Sequence, residues 1–175
     1  MFSQQKHVCE PPENMEEYRI SCDYGTVNPS SFGLWGKKGG VWYRVNEYYF
    51  DSRTEGRQKT DSEHFEALCE LADGKKIRSV VIDPSAASLI ALIRKRGRFS
   101  VRKAKNDVLP GIRLVATLLK AGLLQFSPQC KDTIREFQLY RWEDAGEKDS
   151  VVKENDHAMD DIRYFCASIL RRQIK

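Results

Sequence analysis

Apolar and polar residues alternate in three runs within the first fifty positions. The runs cover residues 18–23, 32–35 and 41–50, and the last is rich in β-branched and aromatic side chains. Asn28-Pro29 and Gly39-Gly40 separate them, and both pairs favour turns. A period of two with short connections is typical of strands. We therefore predict a three-stranded antiparallel meander.

After residue 60 the apolar spacing becomes helical. Thr60 and Glu63 form a capping-box pattern before apolar residues three and four apart. Residues 77–82 are a short apolar run typical of a buried parallel strand, which Asp83 ends. Further strands are predicted at 99–101 and 123–126, and further helices at 85–93, 112–119, 128–139 and about 155–170. The predicted class is α/β: a mixed β-sheet, three antiparallel strands then parallel strands, flanked by helices.

The length and composition indicate one globular domain with a short arm. A chain of 175 residues with 41% hydrophobic residues can bury one core. Residues 1–17 are polar and contain Pro11-Pro12, so we expect a linker or arm there and the domain over 18–175. The charged stretch 141–154 is expected to be an insertion, either a flap over an active site or a plain surface loop.

Several classes of protein lack support in the sequence. No run of eighteen apolar residues and no apolar signal segment is present, so we expect neither a membrane-spanning nor a secreted protein. The five cysteines include no Cys-x-x-Cys pair, which argues against a disulfide framework or thiolate zinc site and favours a reducing, cytosolic setting. Without a Gly-x-x-x-x-Gly-Lys-Ser/Thr loop, ATP hydrolysis is not expected.

Two aspartates end predicted strands and are the first candidates for chemistry. Asp23 closes the first strand, and Asp83 closes the run 77–82. Strand ends of α/β sheets commonly build functional sites. Aspartate is also common in turns and at helix N-caps. On this pattern alone, both interpretations stay open.

A third group of ionisable residues opens the last predicted helix. Helical spacing puts Asp156, His157 and Asp160 on one face, whereas Asp161 lies nearer the apolar side. Interaction of carboxylates with the helix N-terminus explains Asp156. It does not explain four ionisable groups within six residues, because like charges one turn apart repel. A bound cation would relieve that repulsion.

Three aspartates of this kind suit a hard divalent cation. Mg²⁺ and Mn²⁺ prefer oxygen ligands and keep positions open for water and phosphate. With two ions, one can activate water while the other stabilises the leaving oxygen of a phosphodiester. The pattern thus indicates a metal-dependent phosphodiesterase, provided that the aspartates converge.

Three motifs together resemble the nuclease domain of the large terminase subunit of tailed bacteriophages. They are residues 20–25 (Ile-Ser-Cys-Asp-Tyr-Gly), 81–88 (Val-Ile-Asp-Pro-Ser-Ala-Ala-Ser) and 155–164 (Asn-Asp-His-Ala-Met-Asp-Asp-Ile-Arg-Tyr). The resemblance extends from about Tyr18 to Leu170. It implies an RNase H-like fold and an endonuclease that cuts concatemeric double-stranded phage DNA during packaging, using two Mg²⁺ or Mn²⁺ ions.

The resemblance also assigns residues to roles. The implied catalytic and metal-binding residues are Asp23, Asp83, Asp160 and His157. Asp161 could be confused with Asp160, but Asp160 shares a face with His157 and lies opposite the apolar stripe, so it is preferred. Asp156 would support the ligands without being one of them.

Partners and location follow from the same resemblance. They are double-stranded DNA, an N-terminal ATPase domain in the full-length protein, the small terminase subunit and the portal, in the host cytoplasm and transiently on the procapsid. The isolated domain is expected to be a monomer. Little sequence preference is expected, because no element resembles a base-reading helix. The alternatives are a Holliday-junction-resolvase-like nuclease and a non-catalytic module that docks on DNA or the portal.

A basic run follows the helix predicted after Asp83. The net charge is only +4, so the distribution of charge matters more than its sum. The run could lie beside the acidic site and neutralise DNA phosphates, with Lys37-Lys38 adding to it, or it could be a solvated surface. Its candidate DNA-binding residues are Arg94, Lys95, Arg96, Arg98, Arg102, Lys103 and Lys105.

Overall fold

The structure, a computed structural model of the chain, describes residues 2–139 and 155–171. Within them the strands are β1 (Glu17–Asp23), β2 (Ser30–Lys38), β3 (Val41–Phe50), β4 (Ile77–Ile82), β5 (Val101–Lys103) and β6 (Leu124–Phe126). The helices are α1 (Gln4–His7), α2 (Ser52–Glu55), α3 (Asp61–Ala72), α4 (Ala87–Arg96), α5 (Val108–Lys120), α6 (Lys131–Leu139) and α7 (His157–Phe165), and α7 continues as a π-helical segment over Cys166–Leu170.

The strands form one mixed sheet in the order β5-β4-β1-β2-β3-β6. β2 pairs antiparallel with β1 and β3, whereas the β1–β4, β4–β5 and β3–β6 pairs are parallel. The predicted meander followed by parallel strands is therefore confirmed. Of these six strands, all but β2 run in one direction, so they end at one edge of the sheet. We call this the carboxyl edge, and the opposite one the amino edge.

Helices cover both faces of the sheet, which explains why β2 is buried from Ser30 to Gly36. On one face α3 and α4 pack against strand residues that include Ile20, Cys22, Phe32, Leu34, Val80 and Ile82. On the other face α5 and α7 pack against Trp35, Trp42, Leu124 and Phe126. The period of two sends alternate residues of each strand to opposite cores. Phe32, Leu34, Trp42 and Phe50 are buried sheet residues.

The starts of α3 and α5 show how well the local sequence predicts where a helix begins. The Thr60 hydroxyl accepts the Glu63 N–H at 3.2 Å, and the Glu63 carboxylate accepts the Thr60 N–H at 2.8 Å, so the capping box is confirmed. α5 begins at Val108, four residues before the predicted start. Pro110 lies in its first turn, where the missing N–H costs no helical hydrogen bond.

The N-terminal arm packs on the outer side of β6. The Cys9 N–H donates to the Phe126 carbonyl at 3.0 Å, and the Phe2 ring stacks on Phe137 with centroids 4.2 Å apart. The arm therefore covers part of an edge strand. Its role as a linker to another domain stays a prediction.

Four further sequence features can be compared with the structure: the short helices, the cysteines, membrane-spanning segments and the predicted insertion. The single turns α1 and α2 are not predicted by the pattern. All five cysteines are free thiols, and no helix in the described ranges is long and apolar enough to cross a membrane. The predicted insertion at 141–154 lies outside the described residues.

Candidate active site

Asp23 and Asp83 meet at the carboxyl edge, as their positions at strand ends predict. β1 and β4 are parallel neighbours with Cys22 opposite Ile82. The residues that follow lie on adjacent strands about 4.8 Å apart, and the Asp83 N–H donates to the Cys22 carbonyl at 3.4 Å. The two carboxylates thus share one end of the sheet.

The start of α7 brings the other two predicted residues to the same place. His157 Nδ1 lies 3.0 Å from Asp23 Oδ2. Asp23, Asp83, His157 and Asp160 all line one cleft of about 960 Å³, together with Asp156. The structure therefore brings the four predicted site residues together.

Buried Glu136 from α6 fixes the position of α7. One of its oxygens accepts the N–H groups of Ala158 at 2.7 Å and Met159 at 3.3 Å, and the other accepts the Tyr49 hydroxyl at 2.7 Å. A carboxylate on free N–H groups of a helix start satisfies them and interacts favourably with the helix dipole. The first turn of α7, with His157 in it, is held by this contact.

Asp23 and His157 both have raised pKa values. Burial raises the pKa of Asp23 to about 6, with the Asp160 charge adding to the rise and the His157 hydrogen bond opposing it. Burial lowers the pKa of His157, but the bond to Asp23 outweighs it and raises the net pKa. The raised pKa of His157 favours its imidazolium form, whose contact with the Asp23 carboxylate is a strong, charge-assisted hydrogen bond.

Asp83 is held in its ionised form by its own turn. Burial raises its pKa, but hydrogen bonds from Ser85 and Tyr164 outweigh burial and lower it. The Ser85 N–H donates to Asp83 Oδ1 at 2.7 Å, which is an Asx turn. The N-cap interpretation of Asp83 is wrong, because α4 begins at Ala87 with Ala86 as its N-cap.

Asp160 is the most open of the three carboxylates, with 29% of its side chain exposed. Arg163, one turn later, donates to Asp160 Oδ1 from Nη2 at 2.7 Å and from Nε at 3.1 Å. Arg163 is itself only 5% exposed, and it also donates to the Asn106 carbonyl at 2.7 Å. This arginine therefore ties Asp160 to the loop after β5.

Tyr164 lies among the three carboxylates. Burial raises the pKa of its phenol well above the usual value, and the charges of Asp23 and Asp160 and a hydrogen bond to Asp83 raise it further. The hydroxyl thus stays protonated and acts as a donor to Asp83.

Asp161 points into the core, away from the cleft. It is fully buried and pairs with the buried Arg44 at 2.7 Å. Ser31 donates to it at 3.0 Å, and Ser21 donates to its other oxygen. The geometry thus agrees with the choice of Asp160 rather than Asp161.

The donor chemistry at this edge suits a hard divalent cation. The side chains that line the cleft include the carboxylates of Asp23, Asp83 and Asp160 and the imidazole of His157, and such oxygen-rich sets bind Mg²⁺ or Mn²⁺. In the described ranges no three His, Cys, Asp or Glu groups stand close enough to hold one ion. Asp23 is hydrogen-bonded to His157 instead, and Asp160 is hydrogen-bonded to Arg163.

The predicted basic run is split between the two edges of the sheet. β5 runs parallel to β4 with Lys103 opposite Ile82, so Lys103 and Lys105 lie at the carboxyl edge near Asp83. α4 starts at that edge and, over its ten residues, extends about 15 Å towards the other. Arg94, Lys95, Arg96 and Arg98 therefore lie towards the amino edge, and Lys37-Lys38 lies at that edge too, opposite the start of β1. All seven cations of the run are exposed, and their role as DNA contacts stays a prediction.

Sequence reasoning missed four residues at or beside the cleft. Arg53, Arg135 and Tyr164 line it, and Glu136 anchors α7 from behind. Tyr164 lies within the motif at 155–164 and could have been picked out from its position one turn after Asp160. Nothing in the local pattern identifies the other three, because pairing of distant elements brings them there.

Solved structures similar to this chain are large terminases. The large terminase of a thermophilic bacteriophage, in complex with ADP, matches with a TM-score of 0.93 and 48% identity over 97% of this chain and 44% of that one. The nuclease domain of the bacteriophage P22 large terminase matches with a TM-score of 0.75 and 19% identity, over 95% and 89% of the two chains. The nuclease domain of the bacteriophage SPP1 large terminase, with bound Mn, matches with a TM-score of 0.64 and 16% identity, over 86% of this chain and 85% of that one. No protein-family model and no curated protein matches.

A mixed sheet between two helical layers, with carboxylates gathered at its carboxyl edge, defines an RNase H-like domain, and the predicted fold is confirmed. The chain belongs to the large terminase family, and its fold is that of the nuclease domain. It spans less than half the length of the thermophilic phage terminase.

Proposed function

We propose that this domain is a divalent-metal-dependent endonuclease that cleaves double-stranded phage DNA during genome packaging. The observation that carries the proposal is the convergence of Asp23, Asp83 and Asp160 in one cleft, with His157 3.0 Å from Asp23. Support also comes from the similarity to large terminases, one of which has a nuclease domain with bound Mn.

The side chains have distinct tasks in this proposal. Asp23, Asp83 and Asp160, with His157, would hold the ions, two in number. The ions would supply an activated water and charge stabilisation at the leaving oxygen. His157 orients Asp23 and holds a proton at Nδ1, while Tyr164 orients Asp83 by donating from its hydroxyl. Arg163 orients Asp160 by donating to Oδ1 from both Nε and Nη2.

The proposed partners follow the family. DNA would enter the cleft, with Lys103 and Lys105 beside Asp83 as phosphate contacts of the basic run. The ATPase domain, the small subunit and the portal would act through the full-length protein in the host cytoplasm. Cutting would depend little on sequence, because phosphate contacts carry no base information.

Plasmid cleavage tests the activity. The parent chain, Asp23→Asn and Asp160→Asn are incubated with supercoiled plasmid and Mn²⁺, Mg²⁺ or EDTA, and nicked and linear products are measured. The parent should cut with Mn²⁺ or Mg²⁺ and not with EDTA, and both variants should lose at least about 100-fold in rate. Circular dichroism checks that they fold. Folded variants that cut as fast as the parent would show that the metal-site assignment is wrong.

Two further substrates separate the alternatives. A four-way junction that is cleaved much faster than linear duplex would favour the resolvase interpretation. A parent chain that binds DNA but never cuts it, with either metal, would favour a docking module.

A further inference from the structure

The cleft carries far more negative than positive charge, although its proposed substrate is an anion. Seven carboxylates line it: Asp23, Asp51, Glu55, Asp83, Asp132, Asp156 and Asp160. Bound metal would offset only those at the metal site. Within the described ranges, the cleft is lined by two arginines, Arg53 and Arg135, and by no lysine, and its remaining basic group, His157, is engaged with Asp23. Any direct neutralisation of phosphate by the cleft wall therefore depends on these two arginines.

Arg135 is fixed in place and still open to solvent. Its guanidinium donates to Asp132 Oδ1 at 3.1 Å and to Asn155 Oδ1 at 3.3 Å. It also lies over the Tyr49 ring, 5.4 Å from the centroid. With 41% of the side chain exposed, the group is oriented before any ligand arrives, which reduces the entropy lost on binding.

Arg53 reaches the cleft from α2, directly after β3 ends at the carboxyl edge. Its N–H is capped by Asp51 Oδ1 at 3.0 Å, and its Nη2 donates to Asn28 Oδ1 at 3.2 Å. Within the part of the chain that the structure describes, the guanidinium donates to no carboxylate. Its charge is therefore available to an anion.

The register of the sheet sets the distance between Asp23 and the strand residue on which Arg135 stacks. Asp23 pairs with Ser31 on β2, and Ser31 pairs with Tyr49 on β3. Two strand spacings place Tyr49, on which Arg135 stacks, about 10 Å from Asp23. This separation is longer than the axial rise of one nucleotide, about 3.4 Å, so side chains there would meet phosphates other than the scissile one.

We propose that Arg53 and Arg135 form a phosphate-binding wall for the strand being cut, and that this wall contacts phosphates beside the scissile one. This inference rests on the proposed nuclease function. It gives the cleft its own phosphate contacts, separate from the basic run at 94–105. Their role is to position the backbone, not to take part in hydrolysis.

Equilibrium binding and steady-state cutting together test the wall. The parent, the double variant Arg53→Gln/Arg135→Gln and the single variant Arg135→Lys are titrated onto a labelled duplex of about 30 base pairs without divalent metal, at several NaCl concentrations. The double variant should bind at least tenfold more weakly, and its slope of log affinity against log salt should fall by about two. With Mn²⁺, KM should rise by a similar factor while kcat changes less than about threefold. Arg135→Lys should keep the salt slope.

A matched control removes two positive charges elsewhere. Lys76→Gln/Lys120→Gln acts on exposed lysines at the amino edge, and its affinity and salt slope should stay at parental values. If the cleft variant and this control bind alike, the wall does not exist. If the parent binds duplex DNA but does not cut it, the proposed nuclease activity is wrong, and the salt dependence of binding still tests the wall. If the parent does not bind DNA, the nuclease proposal and the wall are both wrong.

Discussion

Asp160 and Asp161 are neighbours in the chain with opposite surroundings. Asp160 lies in the cleft, whereas Asp161 is enclosed with Arg44, Ser21 and Ser31. A helix turns about 100° per residue, so adjacent positions can serve a solvent-filled site and a core. One aspartate is thus proposed for chemistry and the other holds α7 to the sheet.

Substitution at these two positions should separate stability from activity. Asp161→Ala removes the 2.7 Å partner of the buried Arg44 and leaves it the Glu47 carboxylate at 3.8 Å, so we expect a loss of about 3–5 kcal/mol in the free energy of unfolding. Asp160→Asn should change it by less than about 1 kcal/mol while abolishing cutting. Urea denaturation and plasmid nicking measure the two effects. Equal losses of stability would contradict this division.

His64 is a buried imidazole in an aromatic surrounding. Its ring contacts Tyr24, Phe32 and Phe50, and Nδ1 lies 3.2 Å from the Tyr48 hydroxyl. Burial, assisted by the Lys59 charge, lowers its pKa from the ordinary 6.5. The unfolded chain therefore takes up a proton here more readily than the folded one.

The sign of the pH dependence follows from that shift. The stability that His64 contributes is fully present above pH 6.5, and it is lost as the pH falls from 6.5 towards the lower pKa of the folded state. His64→Phe should reduce the loss of unfolding free energy between about pH 7.5 and about pH 5.5. Urea titrations of the parent and the variant at the two pH values test this. If both proteins lose the same unfolding free energy between these pH values, His64 does not cause the pH dependence.

At the scale of elements, two buried or half-buried glutamates hold helices to the sheet in succession. Glu47 on β3 accepts the N–H groups of Asp132 at 2.7 Å and Thr133 at 3.2 Å at the start of α6. Glu136 on α6 then does the same for α7. The position of α7 therefore depends on β3 through α6.

Removing the second of these contacts should weaken both fold and activity. Glu136→Ala leaves the N–H groups of Ala158 and Met159 buried without acceptors, at a cost of about 1–3 kcal/mol. Cutting should also slow, because His157 lies in the turn that is released. Glu66→Ala, which removes an exposed glutamate of α3, is the control and should behave as the parent. A Glu136→Ala chain with parental stability and rate would contradict this account.

The sequence predicts some elements better than others, for physical reasons. β4 and the capping box at Thr60 depend on neighbouring residues, so both were located correctly. The strand-end aspartates were found because parallel strands end at one edge. Glu136 and Arg135 could not be found, since their roles arise from contacts across the fold. The sequence also does not show that the basic run is split between the two edges, because the chain runs back along α4 between Asp83 and Arg94.

At the scale of the molecule, the N-terminal arm shields one end of the sheet. β6 is an edge strand, and edge strands invite pairing with other chains. Deletion of residues 1–9 removes the Phe2 stack and the hydrogen bond to Phe126. We expect a lower thermal midpoint and faster aggregation, measured by light scattering during heating. Phe2→Ala should lower the midpoint but keep the edge covered, so aggregation as fast as in the deletion would argue against edge protection.

The glutamate contacts that link β3, α6 and α7 have a consequence for changes in chain length. Because the Ala158 N–H finds its acceptor 22 residues earlier in the chain, the placement of α7 does not depend on the length of the segment between the two helices. Insertions and deletions there leave the anchoring atoms unchanged, and loop closure entropy grows only slowly with length. Lengthening that segment should therefore leave His157 and Asp160 where they are.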